Sequence, residues 1–533
     1  MKKKALKKIG IALAGISTVF AGSTFAIGTK PSYSEAGEKP SARQSKGNSG
    51  EGPAHGAMVE TRGGLTVLDP CSNWYWFNIG GRLEFDEIIM SGNHRDRQGN
   101  FVSSANLRRA FLAFTGGIGE CLSYNLTVDF GRTHSFWAQE GNDVLVPPFS
   151  TRPGVLDPAG PLAHGVVIIE DAWLGYSGLW DCTCIRFGQF TPLASLDAAD
   201  NYEITNAQIF LESALATRAF DVPSYIETDS RAMKGFGVIL NTQLCDLFTF
   251  GATVYQPAHG PRNVYGDPRR SDRVGGAVRL TFSPIHECDR AVHAGFLARY
   301  QSLNSTDGSQ AINPGSDAII NTLFFTTPEV TPRNYIGNPA VLSAQVNNGA
   351  PLTGAADANF DPNIVNTGAI RARSYNHLIG ELAGVWGPFT ASGEYHYTNV
   401  QRLPFSSATN QRGSLHFYGW HAQASYVLTG ESRGYDFCRG TIGTLVPCST
   451  CGAWEIAARY SYVNLMNKDL YGGASNDITL GLNWYVNENV RFAFNYIRAE
   501  ITPTGIVAGQ QPLPSQAAKR KLDIMAARVQ VVF

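Results

Sequence analysis

The last twelve residues, Leu522 to Phe533, alternate strictly. Met525, Ala527, Val529, Val531 and Phe533 fall on one side; Ala526, Arg528 and Gln530 fall on the other. Successive side chains of a strand point to opposite faces, so the pattern predicts a strand that ends on an aromatic at the chain's last residue. The same period recurs from Trp74 onward. Phe77, Ile79, Leu83 and Phe85 are set against Asn78, Arg82, Glu84 and Asp86. Tyr124, Leu126, Val128 and Phe130 are set against Asn125, Thr127 and Asp129. Val292, Ala294, Phe296, Ala298 and Tyr300 are set against His293 and Arg299. The cleanest stretch sets Ile478, Leu480, Leu482, Trp484 and Val486 against Thr479, Gly481, Asn483 and Tyr485.

Sixteen strands are predicted, near 75–87, 105–117, 123–132, 166–178, 184–192, 235–243, 247–256, 273–284, 290–302, 370–386, 389–401, 414–428, 453–465, 476–487, 489–501 and 522–533. With no helix between most of them, the expected fold is all-β: a sixteen-stranded antiparallel transmembrane barrel. Closure pairs every backbone group where lipid offers no partner. Alternate connections should be short periplasmic turns, and Gly116–Leu122, Leu179–Thr183, Gln243–Asp246, Pro284–Asp289, Gly387–Pro388 and Asn487–Asn489 are short. The others should be long external loops, and 133–165, 193–234, 303–369 and 502–521 are long. The connection 429–452 is long on the periplasmic side. It is either an insertion or hides two short strands; the phase of the other strands keeps the count at sixteen.

The N-terminus supports secretion. Lys2, Lys3, Lys4, Lys7 and Lys8 precede a short apolar core, Ile9 to Phe20, and small residues suit cleavage after Ala26. Residues 1–26 read as a signal peptide, since the apolar run is too short for the roughly 20 residues of a spanning helix. Residues 27–70 read as a flexible periplasmic segment, rich in Ser, Gly, Lys, Glu and Pro, and 71–533 as the barrel. Cleavage lowers Lys+Arg from 43 to 38 against 44 Asp+Glu, so the formal charge moves from -1 to -6. Nucleic acid is therefore not an expected partner. Hydrophobic residues make up 43% of the chain, low for a helical membrane protein but suited to strands that turn alternate residues to water. The 29 Phe, 21 Tyr and 9 Trp would supply interfacial girdles.

All nine cysteines (Cys71, Cys121, Cys182, Cys184, Cys245, Cys288, Cys438, Cys448 and Cys451) fall before the first strand or beside expected periplasmic turns. An oxidising periplasm makes them disulfide candidates, and the odd count leaves at least one thiol over. Cys448 and Cys451 have a metal-like spacing but lack a second ligand pair, so no metal is expected there. His-Glu-x-x-His is absent. Gly-x-Ser-x-Gly occurs at Gly430–Gly434, without the strand-to-helix elbow that would make Ser432 a nucleophile. No catalytic site and no cofactor are expected.

Several motifs in order resemble the phosphate-selective porin O/P family. They are Gly81-Arg82-Leu83-Glu84-Phe85-Asp86, Leu107-Arg108-Arg109-Ala110-Phe111-Leu112, Glu170-Asp171-Ala172-Trp173-Leu174-Gly175-Tyr176, Phe187-Gly188-Gln189-Phe190-Thr191-Pro192 and the stretch Ile204 to Phe220. The resemblance spans about 75–240. It implies a homotrimeric porin of the bacterial outer membrane, inserted by the barrel-assembly machinery, whose third external loop folds into the lumen. A terminal Phe is similar to the C-terminal signature of such proteins. The family's anion site uses arginines of the second strand and that loop. Here Arg109 faces the lumen by parity, whereas Arg108 falls on the wrong parity and needs a bulge or a position on the rim. Ala194 to Asp221 departs from the family pattern: it holds Asp197, Asp200, Glu203, Glu212 and Asp221 but only Arg218.

By alternation the inward faces carry Arg82, Glu84, Asp86, Arg109, Asp129, His293, Arg299, Glu381, Glu394, His396, His421, Glu455, Arg459, Arg491 and Arg528. The pore-lining and anion-binding candidates are Arg82, Arg108, Arg109, Asp129, Arg218, Arg299, Arg459, Arg491 and Arg528. A lining of mixed sign suits general permeation of small hydrophilic solutes and ions, anions such as phosphate among them. The expected partners are outer-membrane lipid, those solutes and further copies of the chain. The alternative is a disulfide-linked structural envelope protein in which transport is secondary; single-channel conductance separates the two.

Overall fold

The alternating stretches pair into a closed barrel. The computed structural model describes residues 58–60, 65–68, 75–92, 101–130, 168–179, 183–198, 207–221, 235–257, 274–302, 324–330, 365–367, 370, 372–402, 413–468, 470–502 and 519–533. The barrel strands are β1 Tyr75–Gly92, β2 Phe101–Ile118, β3 Leu122–Asp129, β4 Ile168–Tyr176, β5 Cys184–Phe190, β6 Gly235–Leu244, β7 Phe248–Pro257 and β8 Gly275–His286. They continue as β9 Arg290–Ser302, β10 Ala372–Trp386, β11 Phe389–Arg402, β12 Leu415–Val427, β13 Ala453–Asn467, β14 Leu470–Tyr485, β15 Val490–Thr502 and β16 Arg520–Val532. All sixteen expected strands form, each antiparallel to its sequence neighbours.

β16 closes the barrel on β1, from Leu522 opposite Gly92 to Val532 opposite Arg82. Phe533 finishes the seam: its N–H donates to Gly81 O at 3.0 Å, and its carbonyl accepts from Gly81 N–H at 2.7 Å. Its ring lies over Gly81. A Cβ at Gly81 would stand 2.6 Å from the Phe533 ring and 2.6 Å from the Phe111 carbonyl oxygen, and the latter cannot give way. Gly81→Val should therefore cost about 1–3 kcal/mol by overpacking. The fraction of heat-modifiable barrel on electrophoresis measures it; an unchanged fraction would mean the seam is loose.

Because β16 stops at Gly81, the lower edge of β1 would be left with unpaired backbone groups. A hairpin of Met58–Glu60 and Leu65–Leu68 covers it, Leu65–Leu68 pairing with Trp76–Ile79. Seven residues of the 27–70 segment, which reads as flexible in the sequence, are thus paired strand. The remainder of that segment, and the signal peptide, lie outside the described residues.

The outward faces are apolar, with Leu174, Phe187, Phe236 and Leu382 each more than half exposed. That is the lipid face of a barrel, and among the described residues no helix is long and apolar enough to cross a membrane. At the short-turn rim Trp454, Trp484 and Phe492 stack with centroids 5.4 Å apart, part of an aromatic girdle. The turn at Gly387–Pro388 is the tightest. Gly387 takes φ 55°, which a side chain would resist, and the fixed φ of proline suits the second position.

The interior holds the unexpected feature. Toward the long-loop rim the inward face turns apolar. Ile88, Met90, Phe417, Ile497, Ile501, Leu522 and Ile524 are buried there with Leu211, Leu215, Phe220 and Phe324 of two inserted loops. Parity is unbroken, but the polarity of the two faces reverses. Arg498–Asp523 and Lys521–Glu500 pair on the outside, both at 2.7 Å. The barrel core therefore lies between wall and loops.

The 429–452 connection is an insertion, and it also contains two short strands, Tyr435–Asp436 and Thr441–Ile442. They pair with each other and not with the barrel, so the count of sixteen stands. The described cysteines all lie at the short-turn rim. Cys121, Cys184, Cys288, Cys448 and Cys451 are free thiols, which corrects the expectation of disulfides for these five. Cys448 and Cys451 share one turn, in which Cys451 N–H donates to Ser449 Oγ at 3.1 Å. Cys438 is disulfide-bonded.

Candidate functional site

The interior is organised around the third long loop, described over 191–198 and 207–221. A buried loop leaves carbonyls without the partners that helices and sheets provide. Here wall arginines supply them. Arg491 donates to Gln208 O at 2.5 Å and Ile209 O at 2.9 Å. Arg528 donates to Leu211 O at 2.6 Å, and Arg459 to Glu212 O at 2.8 Å. Arg299 donates to Leu193 O at 2.6 Å and Asp221 O at 3.0 Å, and pairs with the Asp221 carboxylate at 2.7 Å. The apolar loop residues find their own sites: Phe210 lies 4.3 Å beneath the Arg459 guanidinium, and Ile209 and Phe210 pack on Ala457.

Three of these arginines stand on β13, β15 and β16, and the loop reaches them from between β5 and β6. Its described residues therefore reach the wall opposite the strands they leave. Its Glu212 meets three wall cations, Arg108 at 2.9 Å, Arg109 at 3.1 Å and Arg528 at 2.6 Å. Burial pushes the Glu212 carboxyl up, but these three guanidiniums hold it well below the usual carboxylate range. Arg108 reaches Glu212 because β2 bulges there: Glu84 pairs with Arg109 and Phe85 with Leu107, so Arg108 is the extra residue. Behind this junction Glu84 accepts from Arg82 Nε and from Arg109 Nη1, both at 2.6 Å. Asp86 accepts from Arg528 Nε at 2.6 Å and Nη2 at 2.8 Å.

A second loop enters from between β9 and β10. Its Glu329 accepts from Arg459 at 2.6 Å and from Thr479 Oγ1 at 2.5 Å, and also from Ser461. Arg218 of the third loop donates to Thr327 Oγ1 at 3.0 Å and Pro328 O at 2.9 Å. The two loops are thus fastened to each other as well as to the wall.

The insertion closes in from the opposite rim. Arg433 is buried; it donates to Glu455 at 2.8 and 3.0 Å, to Tyr485 OH at 2.7 Å and to the third-loop carbonyl of Ala207 at 2.8 Å. Arg279 of β8 pairs with Glu381 at 2.6 Å and donates to Arg439 O and Gly440 O, both at 2.9 Å. Tyr435 OH meets His293 Nδ1 at 2.7 Å.

The candidates read from sequence therefore gather inside the barrel, but in a different role for most. Arg299, Arg459, Arg491 and Arg528 are essentially buried and hold loop carbonyls; Arg82 is buried against Glu84. Arg218 fastens one loop to the other. Asp129 caps the Ala110 N–H at 3.3 Å. Arg108 and Arg109 keep a measure of solvent contact, with side chains 16% and 14% exposed. Reading the sequence missed Arg279, Arg433 and Glu329. Arg279 sits on the inward parity of β8 and was findable; the other two lie in connections, where parity says nothing.

Residues 331–533 match the family described as phosphate-selective porin O and P. Porin O of Pseudomonas aeruginosa is 23% identical over 459 residues, 83% of this chain and 87% of that protein. The chain is thus similar to this porin family over its C-terminal part and to porin O over most of its length. The match lies in the half where no motif was legible, β10–β16, whereas the motifs read from sequence lay within 75–240. Among solved structures, the anion-selective porin from Comamonas acidovorans is 10% identical, with TM-score 0.43 over 86% of this chain and 100% of that one. OmpT of Vibrio cholerae, solved in a trimer form, is 10% identical with TM-score 0.42 over 86% and 100%. The barrel sits in the Gram-negative outer membrane.

Proposed function

We propose that this porin passes small hydrophilic solutes and ions by passive diffusion, with a modest preference for anions set where Glu212 meets the wall. The observation that carries this is the charge of that junction. Four guanidiniums (Arg82, Arg108, Arg109 and Arg528) face three carboxylates (Glu84, Asp86 and Glu212), leaving one positive charge in excess. Arg108 and Arg109 are the pair with solvent contact. A tight oxyanion trap needs several guanidiniums converging on the solute. Here Arg299, Arg459, Arg491 and Arg528 hold the loop instead, so the preference is modest and phosphate is one anion among others. The reading is of a channel and not a catalyst: Ser432 of the Gly430–Gly434 run lies in the insertion, followed by no helix. We infer a homotrimer, inserted by the barrel-assembly machinery after loss of residues 1–26, with 71–533 as the porin barrel.

The test is the reversal potential of purified protein in planar bilayers across a KCl gradient. Glu212→Gln removes the carboxylate that neutralises Arg108 and Arg109. Charges at this range act strongly in a narrow, poorly screened lumen. The chloride-to-potassium permeability ratio should rise severalfold; an unchanged ratio means the junction does not set selectivity. A wild-type protein that folds but conducts nothing would favour the structural envelope protein.

A further inference from the structure

We propose that Glu394, His396 and His421 form a binding site for a divalent transition-metal ion of the zinc class in the lumen wall. Glu394 and His396 stand two apart on β11, so they share its inward face. The register places His421 of β12 directly opposite Glu394. Cross-strand partners and i, i+2 neighbours are the closest side chains on a sheet face, so the three form a triangle. Their ligating atoms all lie within 4.8 Å of one another. Small side-chain rotations bring such atoms to the roughly 2.0–2.2 Å that zinc requires of nitrogen and carboxylate oxygen.

Two imidazoles and one carboxylate suit zinc, nickel, copper or ferrous iron; calcium and magnesium prefer all-oxygen sites. His421 points to a ligand by itself. It is 2% exposed, and neither ring nitrogen has a hydrogen-bond partner. A neutral imidazole carries one donor and one acceptor, and burial of both unmet is costly unless something else binds there.

The surroundings are arranged as a second layer. His396 directs Nε2 to Glu394 Oε2 at 3.0 Å, while its Nδ1 lies 3.3 Å from His377 Nε2. Metal-bound histidines ordinarily donate their other N–H to an acceptor, most often a carboxylate, a carbonyl or water, and here the His377 ring nitrogen stands in that place. Glu394 Oε1 accepts the Asp197 N–H at 2.7 Å, which fixes the carboxylate and leaves Oε2 for the ion. Thr217 Oγ1 approaches Oε2 at 3.5 Å. Arg459, the nearby cation, is already held by Glu329 at 2.6 Å and faces Asp197 at 3.9 Å. Asp197 and Thr217 lie on the two arms of the third loop, so an ion here ties that loop to β11 and β12.

The test uses folded, chelator-treated full-length protein in detergent, titrated with Co²⁺ as a spectroscopic stand-in for zinc and then with Zn²⁺. Stoichiometric visible d–d bands of a nitrogen- and oxygen-ligated ion should grow in with Co²⁺ and vanish as Zn²⁺ displaces it. His421→Asn should abolish them, and His377→Phe should weaken binding about 10–100-fold. Heat-modifiable migration checks that each variant is a barrel. Wild-type protein that stays spectroscopically silent overturns the proposal whatever the variants do. So does a spectrum that persists in folded His421→Asn, or one with the charge-transfer bands of thiolates, which would place the ion on Cys448 and Cys451.

Discussion

Replacing residues 200–218 by a short Gly-Ser linker raises single-channel conductance severalfold and moves the reversal potential toward anions. The first effect follows from position. Described residues 207–218 lie between the β5–β6 rim and arginines on β13, β15 and β16, so they occupy cross-section that ions would otherwise use. The second follows from what the loop leaves behind. Arg491 has loop carbonyls and the Asn483 side chain as its hydrogen-bond partners, and it loses the carbonyls. Arg528 keeps Asp86 and Arg459 keeps Glu329, but Arg108 and Arg109 lose Glu212. Guanidiniums freed in a narrow, low-dielectric passage favour anions strongly. The wall should survive, because its backbone bonds run from strand to strand and not to the loop. Planar-bilayer recordings decide it: conductance equal to wild type, from protein confirmed as a barrel, would mean the path for ions does not run past this loop.

The strands were legible because a barrel wall has water or loop on one side and lipid on the other, and that asymmetry writes itself as a two-residue period. The Arg108 bulge was only half legible: a cation whose parity would aim it into lipid is costly, which called for a bulge or a place on the rim, and the register decides for the bulge. What alternation could not reveal is the filling of the lumen. It identifies Arg459 as inward but not that Glu329, some 130 positions earlier, meets it. It identifies Glu394, His396 and His421 as inward, yet their triangle needs the β11–β12 register, which the intervening loop hides. Ile88, Met90, Leu522 and Ile524 invert the usual rule near the outer rim. There the inward face packs against inserted loops instead of water, so apolar residues belong inside and Arg498, Glu500, Lys521 and Asp523 belong outside. In the Gly430–Gly434 run the serine matches a nucleophile motif, whereas the residue that the fold uses is Arg433.

Arg433→Ala destabilises the barrel by about 3–5 kcal/mol, the usual result of stripping one partner from a buried ion pair. Arg433 and Glu455 are fully buried, 2.8 Å apart. Without the guanidinium, Glu455 keeps two neutral donors, Asn483 Nδ2 and Tyr485 OH, both at 2.9 Å. Those bonds do not replace a full positive charge in a dry setting. The same side chain also joins the insertion to the third loop through Ala207 O, so its loss should loosen the periplasmic mouth and raise current noise. The charge argument makes a sharper demand. In Arg433→Ala/Glu455→Gln the unpaired carboxylate goes with its partner, so part of the lost stability should return, although buried Arg491 also loses the Glu455 charge and the packing of the insertion is still damaged. Denaturant unfolding in detergent, followed by tryptophan fluorescence, compares the three proteins. A double variant no more stable than Arg433→Ala would show that the cost comes from lost packing, and that the ion pair contributes little to holding the insertion in the mouth of the barrel.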